Sequence, residues 1–244
     1  MRTLIVDDER LARKELAGLL KNFPEIEIIG ECANSDEALD AISNQRPELV
    51  FLDIQMPGRN GFEMLEELDY VPRIIFVTAF DEYALKAFEV NALDYLLKPV
   101  EEDRLAEAIQ KVMNLRQQNL AEGSGAFHDF SGQRLGQNDQ IFLKDGEKCW
   151  FVSLNEVRLF ESEGNYVRVF FQQYKPLILK SLNNLEDKLD QTFFRVNRKH
   201  IVNLRWVQSV ENWFNGGLRL TLKDGTQVEV SRRQSAKFKD LMSL

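Results

Sequence analysis

Five polar side chains follow four short apolar runs. Asp7 and Asp8 come after Leu4-Ile-Val6, Asp53 after Leu49-Val-Phe-Leu52, Thr78 after Ile74-Ile-Phe-Val77, and Lys98 after Tyr95-Leu-Leu97. If those runs are parallel strands in register, all five side chains reach one edge of a sheet. Three acids gathered there repel one another unless a cation binds, and hard oxygen ligands with an open side suit Mg²⁺. A carboxylate nucleophile, a divalent ion, an ammonium and a hydroxyl donor together meet the needs of phosphoryl transfer. Taken singly, each residue is an ordinary solvated strand end. The placement of all five is what points to chemistry.

Two other uses of such an edge fit less well. A phosphatase of the haloacid-dehalogenase kind needs a second Asp two residues past its nucleophile, where Asp53-Ile54-Gln55 has Gln. A flavin-binding sheet needs a phosphate-cradling first loop rich in Gly, Ser or Thr, and Val6-Asp-Asp-Glu9 is anionic instead.

The elements that must position these residues alternate regularly. A further apolar run lies at Ile26–Ile29, and helical spacing fills the gaps between runs. Leu11, Leu16, Leu19 and Leu20 mark the first helix, a helix is expected at about Glu82 to Asn91, and Leu105, Ala108, Ile109, Val112 and Leu115 mark the last. Five strands alternating with five helices predict a doubly wound α/β fold, a five-stranded parallel sheet covered on both faces. Helix signals stop near Gln118. A Gly-containing stretch follows, and the expected linker is 119–139. From 140 onward short strands alternate with turns such as Asp145-Gly146, Glu163-Gly164-Asn165 and Asp224-Gly225, predicting a mainly antiparallel β domain over 140–244. A helix from Ser181 to Leu189 interrupts it, and another is expected over Gln234–Leu241.

The net charge of −8 at first argues against nucleic acid. It is the sum of unlike halves: residues 1–120 carry −11 and residues 121–244 carry +3. In the second half Arg158, Arg168, Arg195, Arg198, Lys199, Arg205, Arg219, Arg232, Arg233, Lys237 and Lys239 recur in turns and at strand ends. Asn165, Asn197 and Asn203 beside them are suited to base edges. Composition leaves two readings open, a nucleic-acid face or plain surface. No apolar stretch approaches a membrane span, so no membrane insertion is expected. The N-terminus lacks the features of a signal peptide. Cys32 and Cys149 form no metal or disulfide pattern, which points to a reducing, cytoplasmic setting. His200 has no second His close by and reads as a packed residue or a phosphate neighbour rather than a metal ligand.

Leu4-Ile-Val-Asp-Asp-Glu9, Phe51-Leu-Asp-Ile-Gln-Met-Pro57 with Gly61, Val77-Thr-Ala79 and Asp94-Tyr-Leu-Leu-Lys-Pro99 resemble the receiver domain of two-component response regulators over residues 1–118. Val157–Val167, Phe194–Asn203 and Val228–Arg233 resemble the LytTR DNA-binding domain. The whole chain is thus similar to LytR/AlgR-family response regulators. The resemblance implies that Asp53 is the phosphoacceptor for a sensor histidine kinase. It also implies that Asp7 (through water), Asp8, Asp53 and the Gln55 main-chain carbonyl hold Mg²⁺. Lys98 would pair with the phosphoryl group and precede a cis peptide to Pro99. Thr78 and Tyr95 would switch, and two receivers would pair as a homodimer. Self-dephosphorylation would be slow at most, with no other enzyme activity. Loops would read double-stranded DNA: Asn165 in the first, Arg198 or Lys199 in the second and Arg233 in the third. Arg195, Lys199, Arg232 and Lys237 would meet phosphates. Asn203 and Ser231 read as structural residues, a turn former and a helix cap. The competing reading is a second domain that binds protein or RNA and never touches promoters.

Overall fold

The structure, a computed structural model, describes residues 1–79, 93–121, 134–146 and 148–242. The helix expected at about Glu82 to Asn91 and residues 122–133 of the expected linker lie outside the described residues. The chain forms two compact units. The first holds residues up to 131 together with Gln140–Phe142 and Gly146–Phe151; the second holds Gly132–Asp139, Leu143–Asp145 and Val152–Leu244. Residues 134–139, in the expected linker, are therefore part of the second unit: Leu135 is buried, and its N–H donates to the Lys188 carbonyl at 2.6 Å.

In the first unit β1 (Arg2–Val6), β2 (Glu27–Cys32), β3 (Leu49–Leu52), β4 (Arg73–Thr78) and β5 (Asp94–Leu97) form a parallel sheet in the order β2-β1-β3-β4-β5. The inner strands β1, β3 and β4 are buried on both sides, as their near-continuous apolar runs require, while the edge strand β2 is only partly covered. Leu4, Val6, Val50, Leu52, Ile74 and Phe76 face one core with Ile42, Met64 and Leu65. Ile5, Phe51, Ile75, Val77 and Leu96 face the other. Helix α1 (Arg10–Leu20) and the last helix, α4 (Glu102–Ala121), supply that second core with Leu16, Leu20, Leu105, Ile109 and Val112. Leu11 and Leu115, expected on the apolar stripes, are 73% and 38% exposed, because they sit at the margin of faces already filled by their neighbours. Helices α2 (Ser35–Gln45) and α3 (Gly61–Glu67) cover the first core, where Phe142 and Phe151, 5.2 Å apart, also lie, with Phe151 6.4 Å from Phe76. The carboxylate of Asp94 is almost fully buried but paired: Lys111 Nζ is at 2.7 Å and Arg104 at 3.3 Å, binding β5 to α4.

In the second unit β8 (Val157–Glu163), β9 (Tyr166–Phe171), β10 (Leu177–Ile178), β11 (Phe193–Arg195) and β12 (His200–Asn203) form one antiparallel sheet in the order β10-β9-β8-β12-β11. A second contains β13 (Val207–Asn212), β14 (Leu218–Leu222) and β15 (Gln227–Val230). Strands β6 (Gln140–Asp145) and β7 (Lys148–Ser153) pair with each other, and of them Gln140–Phe142 and Lys148–Phe151 belong to the first unit. Strands β11 and β12 were not expected as strands: the first has three residues, and the polar Asn197-Arg198-Lys199 turn breaks the alternation between them. Helix α5 (Leu182–Lys188) starts on Ser181, whose hydroxyl accepts from the Asn184 N–H at 3.2 Å. Helix α6 (Arg232–Met242) begins two residues before the expected start, and the Ser231 carbonyl accepts from the Gln234 and Ser235 N–H groups. The core sets Phe238 of α6, edge-on to Phe194 at 5.5 Å, against Leu218, Leu220, Leu222, Val228 and Val230. No helix among the described residues is long and apolar enough to cross a membrane.

Asn203 is fully buried and joins the parts of this unit. Its amide donates to the Val157 carbonyl at 2.8 Å and lies 3.3 Å from that of Leu154, while its Oδ1 accepts from the Arg205 N–H at 3.0 Å. Asn203→Ala leaves these buried groups unpaired and is expected to cost about 2–3 kcal/mol of stability, read from the midpoint of urea unfolding. A loss below half a kilocalorie would rule out this role.

Candidate functional site

Strand register builds the acidic edge of the first unit. Val6 pairs with Leu52 and Leu52 with Phe76, so β1 and β3 end together, while β4 runs on two residues to Thr78, opposite Leu97 at the end of β5. The next residues continue the pattern: the Asp53 N–H donates to the Val6 carbonyl at 2.8 Å and that of Lys98 to the Thr78 carbonyl at 2.9 Å. The site sits between β1 and β3, where the strand order reverses. Asp7, Asp8 and Asp53 present carboxylate oxygens within 4.8 Å of one another, a set able to hold a divalent cation.

Lys98 answers two of these acids, with Nζ 2.6 Å from Asp53 Oδ2 and 2.7 Å from Asp7 Oδ2. Burial pushes the Asp7 carboxyl above its ordinary value, more than its bonds to Lys98 and the Glu9 N–H pull it down. Burial would lower Lys98, but two carboxylate partners more than offset it and raise it. The directions agree physically: each acid has half an ammonium, while the ammonium has two acids. Lys98 to Pro99 is a cis peptide.

The loops around the acids are fixed by main-chain contacts. Arg13 donates to the Asp7 carbonyl at 2.6 Å and the Asp8 carbonyl at 3.3 Å, anchoring the β1–α1 turn. Sequence reasoning passed over it; its signal is a basic residue one turn inside the helix that follows the acids. Gly61 starts α3 so close to β3 that a Cβ would stand 2.7 Å from the Asp53 carbonyl oxygen, so no side chain fits. Asn60 and Glu63 cap that helix reciprocally. Exposed Gln55 donates its N–H to Asp53 Oδ1 at 3.1 Å. Thr78 is fully buried, and its hydroxyl has no hydrogen-bond partner among the described residues. Tyr95 is buried in the core that holds Phe76. Burial pushes the Cys32 thiol up to about 11, which keeps it protonated and inert.

In the second unit three turns meet at one end. Ser162, just before the Glu163–Asn165 turn, donates its N–H to the Lys199 carbonyl at 2.8 Å. Ser231, just before Arg232, donates to the Val196 carbonyl at 2.9 Å. Asn165, Arg198, Lys199, Arg232, Arg233 and Lys237 are all exposed. Other basic residues are consumed internally. Arg158 is buried against Asp224 and donates to the Gln172 carbonyl at 2.8 Å; Arg219 lies 3.6 Å over the Trp213 ring and pairs with Glu211. Arg195 and Asn197 likewise bond to their own loop. Burial holds His200 below its ordinary value against the pull of Glu161, 3.4 Å from Nε2.

Known proteins resemble both halves. Residues 3–110 match the family described as the response regulator receiver domain, and residues 147–243 match the LytTr DNA-binding domain. The sensory transduction protein LytT of Bacillus subtilis is 36% identical over 248 residues, spanning 100% of both chains. The transcriptional regulatory protein BtsR of Salmonella typhimurium is 39% identical over 254 residues, again spanning both completely. The solved response regulatory domain of protein mrkE from Klebsiella pneumoniae is 34% identical, with a TM-score of 0.45 over 48% of this chain and 99% of that one.

The acidic edge carries an excess of negative charge, and Asp8 has no bond to Lys98. Asp8→Asn is therefore expected to stabilise the protein in chelator by about 0.5–1 kcal/mol, measured as a rise in thermal midpoint. A fall in midpoint would show that the acids are not in conflict.

Proposed function

Because the chain belongs to the response regulators that join a receiver domain to a LytTR DNA-binding domain, we propose that Asp53 is the residue that accepts a phosphoryl group from a sensor histidine kinase. On this reading 1–118 is the receiver module and 140–244 the DNA-binding module, while of the linker expected at 119–139 residues 134–139 pack with the second unit. The bonding of Lys98 to both Asp53 and Asp7 carries the reading, since it sets a nucleophile and a cation at one edge. Asp7, Asp8, Asp53 and the Gln55 carbonyl would hold Mg²⁺, which supplies positive charge and open positions for phosphate oxygens.

An Asp53 carboxylate oxygen attacks the phosphorus of the kinase phosphohistidine. The new O–P bond forms as the N–P bond breaks, and the imidazole leaves with the electron pair and takes up a proton. Lys98 follows the charge onto the phosphoryl oxygens, and the Thr78 hydroxyl donates to one of them. Tyr95 responds to the movement of Thr78. The surface of β5 and α4 then pairs with a second copy, which raises the effective concentration of two weak reading heads on promoter DNA. Asn165, Arg233 and either Arg198 or Lys199 face the grooves, while Lys199, Arg232 and Lys237 meet phosphates. Hydrolysis of the acyl phosphate is slow, and the setting is cytoplasmic, in keeping with two cysteines that form no disulfide.

Gel-shift titration with promoter fragments tests this at two salt concentrations. Phosphorylated wild type is expected to bind its site at least about tenfold more tightly than the unphosphorylated protein. Asp53→Ala should neither take up phosphate nor gain affinity. Absence of specific duplex binding in every state would sink the reading and favour a protein or RNA target.

A further inference from the structure

The Arg198–Lys199 turn is held by side chains that reach inward. Arg195 donates Nε to the Asn197 carbonyl at 2.7 Å and an Nη to the Arg198 carbonyl at 2.8 Å. Its other Nη lies 3.3 Å from Glu186 Oε2 and 3.4 Å from Asn183 Oδ1. All three guanidinium nitrogens are engaged, and the side chain is only 13% exposed. Glu186 also offsets the charge and would repel an approaching phosphate. Asn197 is equally committed. Its Oδ1 accepts from the Lys199 N–H at 2.7 Å and the His200 N–H at 2.9 Å, an Asx turn, and its Nδ2 donates to the Glu229 carbonyl at 2.7 Å. With Oδ1 saturated, no bidentate amide edge is left for a base. The bond to Glu229, with that from Ser231 to Val196, fastens the turn to the segment that leads into Arg232 and Arg233.

We propose that Arg195 and Asn197 are positioning residues: they pre-shape the Arg198–Lys199 turn and lock it to the start of α6, so that two reading elements approach DNA as one rigid piece. The inference rests on the DNA-contact reading above and assigns Arg195 a role other than phosphate binding. Pre-shaping matters because a turn ordered beforehand loses no freedom on binding, and its side chains arrive in register with the groove.

Arg195→Lys separates the two roles. Lysine keeps the charge, so a phosphate contact would survive, but an ammonium cannot bridge two carbonyls as the planar fork does. The full-length chain is titrated with duplexes that wild type enriches from a random pool and with an unrelated duplex of equal length, at two salt concentrations. Amide hydrogen exchange at Lys199 and His200 is followed in the DNA-free protein. The expected result is a loss of site preference of about tenfold or more, faster exchange at both amides, and unchanged affinity and salt slope on the unrelated duplex. Wild-type preference with wild-type exchange overturns the proposal, as does an equal loss on both duplexes. Asn197→Ala should reproduce the exchange result and carries the test if Arg195→Lys fails to fold. If wild type prefers no duplex, the DNA-contact reading falls, and exchange alone still decides whether Arg195 and Asn197 order the turn.

Discussion

Three carboxylates crowd the end of a parallel sheet and only two of them share its one ammonium, and much of the first unit is arranged around that imbalance. Lys98 lies between Asp53 and Asp7, and Asp8 stands apart from it. Such a site is unfavourable at rest and is held in place by its surroundings. Arg13 secures the turn that carries Asp7 and Asp8, and the bare backbone of Gly61 lets α3 press against the Asp53 carbonyl. The stability given up at this edge is offset elsewhere, in two dry cores that share a sheet. On the proposed reading, a phosphoryl group would add further charge to an edge that is already crowded.

The second unit solves the opposite problem. Its cations must face outward and remain available, yet several lie among acids that could capture them. Arg158, Arg168 and Arg219 are captured, by Asp224, Glu163 and Glu211 respectively. Those at the three converging turns keep their heads in solvent, because the turns are held by bonds of backbone groups and of the Arg195 and Asn197 side chains rather than by the outward-facing cations themselves. A net charge of +3 for this half therefore understates the local field at one end of the β structure.

The parallel sheet and its acidic edge were legible because strand-end position is a one-dimensional property. Once Val6, Leu52, Val77 and Leu97 are recognised as strand ends, register does the rest. The second unit was less so. Strands β11 and β12 escaped notice because three or four residues give no period, and the pairing of β12 with β8 depends on partners about forty residues away. Arg195 illustrates a different limit: side-chain type announces charge, but only the carbonyls of Asn197 and Arg198 reveal where that charge is spent. Leu11 and Leu115 fit a helical stripe whose width the sequence overstated. Asn203 was read correctly as structural, although its particular partners, Leu154 and Val157, lie too far off in sequence to foresee.

Phe142 and Phe151 in the core of the first unit bear on how the chain is made. Synthesis runs from the amino terminus at about 5–20 residues per second. When residue 131 emerges, the parallel sheet can form, but Phe76 still lacks one of its aromatic neighbours. Some twenty residues, roughly 1–4 s later, that neighbour arrives on the opening strands after the linker. The nascent first unit thus passes through an interval in which part of its apolar surface awaits chain not yet translated. Its completion is timed by the ribosome's progress into the second half of the message.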